Sequence, residues 1–270
     1  MLRAGEKALS SPWTKFRNYY KRNVGRVLFR RPLAIRIERP LISFTFDDFP
    51  RSALHVGGSI LAANRAAGTY YTALGLMGTE GPSGPLFVRD DLTDLLTQGH
   101  ELGCHTYSHC HSWDTAPAVF EESVIRNSSV LRELVPGVEF KSFSYPISEP
   151  RPLTKRNTAR HFLSCRGGGQ TFNSDVADRN SLAGYFLERS RDNPQAVKDV
   201  IDQNREASGW LILATHDLSP NPSPYGCTPR FFEEVVEYAI GSGALVLPVA
   251  TALERLGVSG SATAVFRAGI

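Results

Sequence analysis

The chain is poor in sulfur, with four cysteines and two methionines in 270 residues. Four cysteines are too few for a disulfide scaffold, and Cys104 and Cys110 lie inside a histidine-rich stretch, so a reducing compartment is the simpler reading. No run of 18 apolar residues occurs. The longest candidates, Leu211 to Ala214 and Ala244 to Ala250, have the length of strands, which argues against a membrane-spanning helix. Internal repeats, low-complexity tracts and Gly/Ser linkers are missing too. So is an apolar core of about 7 to 15 residues behind the basic start, the mark of a secretory signal, and a soluble, cytoplasmic protein is expected.

Acid is what the first 31 residues lack. They hold nine basic side chains (Arg3, Lys7, Lys15, Arg17, Lys21, Arg22, Arg26, Arg30 and Arg31) against Glu6 alone, a net +8, whereas the remainder carries 21 basic and 26 acidic residues. Trp13, Phe16, Tyr19, Tyr20, Leu28 and Phe29 are interleaved with these charges. Two readings stand: a helix packed outside the domain with its charges in water, or peripheral contact of residues 1–31 with an anionic membrane. Nucleic acid is not expected as a partner.

The apolar fraction of 41% is that of a folded globular protein. Beyond residue 40, strand-like runs alternate with helix-like segments, which argues for parallel strands covered by helices. The strand candidates are Leu41 to Phe46, Thr69 to Leu76, Glu101 to His105, Lys141 to Tyr145, His161 to Cys165, Gly184 to Glu188, Trp210 to Thr215 and Ala244 to Val249. Helices are expected over Ser59 to Ala67, Arg89 to Gln98, Ala118 to Leu134, Pro194 to Ala207 and Pro229 to Ile240, with Gly99, Gly209 and Gly243 as C-caps. The fold class is α/β, a distorted (β/α) barrel of seven to eight parallel strands in a single domain. Residues 1–34 form a basic extension, 35–258 the barrel and 259–270 a loose tail. In such a barrel, chemistry collects where strands end.

The first strand runs into Asp47-Asp48. Adjacent carboxylates leaving a buried strand repel each other unless a cation or a shared proton intervenes; the alternative is a pair capping the next helix. Four of the seven histidines follow between 100 and 111, and His105 and His109 are four apart. One helical turn after the third strand would put both imidazoles on one face. Two imidazoles and a carboxylate make a three-ligand metal site with a position open for water. A thiolate site using Cys104, His109 and Cys110 is the alternative. In a third constellation, the strand-like run Trp210 to Thr215 delivers His216.

The order Thr45-Phe-Asp-Asp48, His105-Thr-Tyr-Ser-His109, Phe143-Ser-Tyr-Pro146 and Leu213-Ala-Thr-His216-Asp217 resembles the polysaccharide deacetylase family, which shares the NodB homology domain and includes carbohydrate esterase family 4. That resemblance implies a divalent metal, usually zinc, and hydrolysis of an N-acetyl (or O-acetyl) group on a carbohydrate or glycolipid. By position it implies Asp48, His105 and His109 as metal ligands, Asp47 as general base and His216 as general acid. The backbone N–H of Tyr145 would help hold the oxyanion, and Leu213 and Trp210 would accept the acetyl methyl.

Three positions depart from the family pattern. Phe49 stands where Gly is usual, so a bulky side chain is expected to narrow or reshape the groove. Ser144 stands where an Arg normally orients the catalytic Asp; Arg166 is the candidate replacement and is also counted among substrate contacts, with a surface position as its alternative. Ile147-Ser148 replaces an aromatic-Gly pair. In the loop after His216, Tyr225 is a candidate to stack on a sugar ring. Cleavage of another C–N bond, as in a formamide or cyclic amide, and a non-catalytic carbohydrate- or membrane-binding module are the alternative functions.

Overall fold

The computed structural model describes residues 12–147 and 149–260, without the side chains of residues 12, 14–18, 21 and 22. Ser148 and most of the expected C-terminal tail lie outside the described residues. The strands are β1 (Pro32–Ala34), β2 (Leu41–Phe46), β3 (Thr69–Thr72), β4 (Glu80–Gly81), β5 (Gly84–Pro85), β6 (Glu101–Cys104), β7 (Ser142–Ser144), β8 (Ser164–Arg166), β9 (Val176–Asp178), β10 (Tyr185–Phe186), β11 (Trp210–Thr215) and β12 (Leu245–Val246). The helices are α1 (Pro12–Val27), α2 (Ser59–Ala63, preceded by a π-helical stretch Ala53–Gly58), α3 (Arg89–Thr97), α4 (Pro117–Leu134), α5 (Pro152–Thr158), α6 (Pro194–Glu206), α7 (Pro229–Gly241) and α8 (Val249–Arg255).

The central sheet is all parallel and curled, in the order β10-β11-β2-β3-β6-β7-β8, with β12 on the lower half of β2. Its two edges are joined through Leu182, whose backbone bonds to Cys165 and Gly167 beside β8 just before the chain enters β10. The architecture is the curled α/β barrel that the alternation predicts. Several strands are shorter than their apolar runs: β3 stops at Thr72 and gives way to a 3₁₀ turn, Leu74–Leu76. Gly209 is not the left-handed C-cap; Ser208 takes that place with φ 46°. Gly209 is needed for close approach instead, since a Cβ there would lie 2.7 Å from Asn204 Oδ1.

Alternation along β2 and β11 sorts the side chains. Ile42, Phe44, Phe46, Leu211 and Leu213 face outward into the large core with Phe232 and Val235 of α7. Leu41, Trp210 and Ile212 face inward and close the base of the barrel with Val249, Ala252 and Leu253 of α8 and with Leu33 and Ile35. Above that plug the lumen is polar: Trp210 Nε1 donates to Ser43 Oγ (3.0 Å), and Ser142 Oγ and Thr69 Oγ1 donate to the Glu101 carboxylate (2.6 and 2.8 Å).

The register of β2 with β11 places the site. Six pairs run from Trp210↔Leu41 to Thr215↔Phe46, so both strands end at one level. Asp47 N continues the ladder to Thr215 O (2.9 Å), and His105 N continues that of β6 to Thr72 O (3.1 Å). The residues just past three strand ends therefore converge above the lumen.

The N-terminal segment is tied to the barrel flank. β1 pairs antiparallel with β9. Arg31 donates through Nη2 to the carbonyls of Phe162 and Leu163, and Asn180 Nδ2 donates to Phe29 O. Lys155 of α5, fully buried, donates to Gly25 O (2.7 Å) and to Asp178 Oδ2 (2.5 Å). The outer-helix reading of the basic segment agrees with α1 lying against α5.

Candidate metal-dependent active site

Two consecutive non-glycine residues at the end of β2 are left-handed, Asp48 at φ 62° and Phe49 at φ 51°, a conformation that persists only where the surroundings hold it. Phe49 provides the hold. Its ring is completely buried, stacked on Phe87 at 5.0 Å and tilted on Tyr70 at 5.0 Å. Of the two expected effects of Phe49, narrowing of the groove does not occur: its side chain packs down into the core, and the turn swings Asp48 over the barrel mouth.

Asp48 Oδ1 lies 3.1 Å from His109 Nε2 and 3.6 Å from His105 Nε2. These three groups have ligand atoms within 4.8 Å of one another. The side chains meet as the spacing suggested, but not through a helical turn. Residues 105–109 form an irregular loop in which Thr106 (φ 61°) and His109 (φ 49°) are left-handed.

The donor chemistry fits a cation. His105 Nδ1 sits 2.8 Å from Ser144 O, so the proton belongs on Nδ1 and the Nε2 lone pair faces Asp48. Burial pushes the His105 imidazolium down to about 4, against the pull of Asp47, so the ring is neutral at pH 7. Asp48 Oδ1 is buried and has no hydrogen-bond partner. A neutral imidazole lone pair aimed at an unpartnered carboxylate oxygen is repulsive until a positive charge stands between them. The thiolate alternative fails: Cys104 points the other way, onto Asn127 Nδ2 at 3.2 Å, and burial raises its thiol to about 12.

Asp47 is buried beside this set. Burial pushes its carboxyl up, but the Arg166 guanidinium, with His105 and His216 beyond it, overrides that and holds it at about 2. Arg166 Nη2 donates to Asp47 Oδ1 and to Ser144 Oγ (2.6 Å), the guanidinium lying 5.2 and 5.4 Å from the rings of Tyr71 and Phe186. Arg166 is the cross-strand partner of Ser144, so the guanidinium absent from position 144 arrives from the next strand. At 2% exposure it is neither a surface residue nor a substrate contact.

His216 Nε2 lies 3.9 Å from Asp48 Oδ2 on the opposite wall. The half-exposed Tyr225 ring is 5.4 Å from the His216 ring. Its loop is pinned by Asp217, which accepts from Ser223 N (2.9 Å) and Ser223 Oγ (2.5 Å).

Three sequence assignments do not survive. Leu213 has the wrong parity, pointing outward into the core at 1% exposure. Trp210 shares the inward face of His216 but is fully buried in the basal plug, about 20 Å below at six residues of strand. Neither lines an acetyl pocket. The Tyr145 N–H donates to Arg166 O (3.0 Å) in the ladder, so it is not available for an oxyanion, and its hydroxyl donates to Asn180 O. One residue escaped sequence reasoning. Glu188, raised by burial and within electrostatic reach of His216 and Asp47, has a buried oxygen, Oε2, without a partner, and His216 Nδ1 is buried without one too. Only its position just past a strand end signals it.

The family model described as polysaccharide deacetylase matches residues 35–162. A family 4 acetyl xylan esterase from Clostridium thermocellum, solved with a cobalt ion, is 20% identical with a TM-score of 0.59, over 83% of this chain and 95% of that one. The family 4 domain of a multidomain xylanase from the hindgut metagenome of Trinervitermes trinervoides gives 17% identity and a TM-score of 0.59, over 83% and 94%. A family 4 pseudoenzyme from Bacillus anthracis is also similar, at 12% identity and a TM-score of 0.53, over 81% and 66%. At these identities the likeness is one of fold. No curated protein sequence matches the chain.

Proposed function

We propose, from the match of residues 35–162 to the polysaccharide deacetylase family, that the chain is a hydrolase that removes an acetyl group from an N-acetylated carbohydrate or glycolipid. Asp48, His105 and His109 would hold a divalent cation, Zn²⁺ by preference for this nitrogen-rich set. The observation that carries the reading is the buried, unpartnered Asp48 Oδ1 facing two imidazole nitrogens.

When bound, the cation supplies a Lewis acid that polarises the acetyl carbonyl and acidifies a water. Everything else falls to side chains. The Asp47 carboxylate, ionised and held on Arg166 through Oδ1, makes no other hydrogen bond among the described residues; Oδ2 takes the proton of the attacking water. An amine leaves only when protonated, and His216, across the mouth, gives it that proton. Glu188 faces His216 and balances the imidazolium charge. Tyr225 offers its exposed face to a sugar ring.

The test is metal content and acetate release together. The protein takes up one equivalent of Zn²⁺, and Asp48→Ala, His105→Ala and His109→Ala each lose it. Asp47→Asn keeps the metal while acetate release from N-acetylated oligosaccharides falls by about 10² to 10⁴. Unchanged metal in the three alanine variants removes the site. A loaded protein that releases no acyl group from any acetylated or formylated sugar removes the activity and favours a binding role.

Where the enzyme works is read from α1. Its sequence holds Lys15, Arg17, Lys21, Arg22 and Arg26 and no acid, and Trp13, Tyr19, Tyr20, Val27, Leu28 and Phe29 are exposed. Basic charge with exposed aromatics suits peripheral contact with an anionic membrane, which would present a glycolipid to the site. Co-sedimentation with anionic vesicles, with and without residues 1–24, checks this. No helix among the described residues is long and apolar enough to cross a membrane. The free thiols support a reducing, cytoplasmic compartment.

A further inference from the structure

Two of the three ligand side chains, His105 and His109, sit on a loop without helix or strand, and two of its five residues are left-handed. Such a segment keeps a ligating shape only if it is gripped from outside. The grip comes from one face of α4. Ser123, Arg126 and Asn127 stand at i, i+3 and i+4, the spacing that lines side chains along a single helical stripe.

Each does a different part. The Ser123 hydroxyl oxygen accepts from Tyr107 N (3.0 Å) and Ser108 N (3.3 Å), and the Ser123 carbonyl shares the first of these (3.1 Å). The Arg126 guanidinium lies 4.0 Å from the centre of the Tyr107 ring. Asn127, wholly buried, accepts from Leu74 N (2.9 Å) and donates to Thr72 O (2.8 Å) and Cys104 Sγ (3.2 Å). It thereby fixes the end of β6 from which the loop departs. From the far side Gly75 N donates to Tyr107 O (2.9 Å), and a Cβ on Gly75 would fall 2.5 Å from that oxygen. The middle of the loop is thus clamped between α4 and Gly75, with a ligand on either side of the clamp.

We propose that Ser123, with Arg126 and Asn127, is a positioning device that sets the cation affinity of the site by holding residues 105–109 in their ligating shape. This rests on the metal reading above. Groups that orient ligands typically change metal affinity by about 10- to 100-fold when removed. A stripe serving only the fold would change stability and leave affinity alone.

The experiment measures Zn²⁺ dissociation constants by chelator competition and urea midpoints of the metal-free protein, for the full chain and three variants. Ser123→Ala weakens Zn²⁺ binding by about tenfold with a metal-free midpoint close to wild type. Ser123→Thr keeps the hydroxyl and the wild-type constant. Gly75→Ala, pressing on Tyr107 O from the opposite side, weakens binding in the same direction. A Ser123→Ala constant within about twofold of wild type, or an equal loss in Ser123→Thr, overturns the proposal while leaving the metal site standing. If the wild-type chain itself holds no Zn²⁺, the metal reading fails and takes this proposal with it.

Discussion

Among the described residues the barrel holds two buried pairs of cation and carboxylate, Arg166–Asp47 at the mouth and Lys155–Asp178 on the flank. Their side-chain exposures are alike, 2% and 8% in the first, 0% and 9% in the second. The carboxylates are used differently. Asp178 Oδ2 takes Lys155, and Oδ1 accepts from Arg31 N and Asn180 N, both at 3.0 Å, so both oxygens are bound and the pair knots α1, α5 and β9 together. Asp47 commits Oδ1 to Arg166 and keeps Oδ2 for the mouth. A buried ion pair is by itself weak evidence of stability or of function. What separates the two cases here is whether an oxygen is left over.

The largest effect expected from breaking this comparison is on the flank. Lys155→Met leaves Asp178 buried without its cation and Gly25 O without its donor, and removing one partner of a buried pair typically destabilises by about 3–5 kcal/mol. Urea unfolding measures it, and Zn²⁺ affinity stays unchanged. A loss under about 1 kcal/mol would mean that the pair is not the knot.

Arg166→Met makes the matching cut at the mouth, and its effect is on rate and pH. Asp47 now sits at about 2, so it is ionised throughout the working range and any stability it contributes is present above the ordinary carboxyl range, lost only as pH falls through about 2. Without the guanidinium, burial is the leading influence and it acts upward. The carboxyl then protonates at a higher pH in the folded than in the unfolded chain. The acid limb of the kcat/KM profile moves up with it, so the loss is greatest at acid pH and shrinks as pH rises. A uniform loss at every pH would make Arg166 a packing residue.

The same contrast explains what the chain's sequence discloses. β2 and β11 were readable to the residue because they are buried on both faces and end in charged residues. Most of the other strands fall short of their apolar runs, since the loops that build the site begin before those runs end, whereas β8 starts late and reaches Arg166. The histidine spacing singled out two side chains that do meet, though not through the helical turn it suggested: a loop brings His105 to His109. Leu213 was misassigned against its own parity, and Trp210 against its depth. Arg166 could be named as a candidate for the guanidinium missing at Ser144 but not chosen over its surface alternative, because the cross-strand register that pairs the two is a property of the sheet and not of the string. Asn127 and Ser123 carried a helical stripe in plain view, but nothing in sequence says which loop a stripe will meet.

The smallest expected effect sharpens where the knot lies. Gly25 O, Phe29 O and the Arg31 guanidinium are the points at which the N-terminal segment is bonded to Lys155, Asn180 and the Phe162 and Leu163 carbonyls. All three lie after residue 24. Removing residues 1–24 therefore leaves each of these bonds in place, and the urea midpoint should shift by less than about 1 kcal/mol equivalent, the ordinary effect of a surface change. The same truncation removes four of the five basic residues of α1 and should weaken binding to anionic vesicles, by about 1 kcal/mol for each basic residue near the lipid surface. The two readouts are independent. A truncated chain as unstable as Lys155→Met would show that α1 is part of the fold, whereas unchanged vesicle binding would assign its exposed aromatics to something other than lipid.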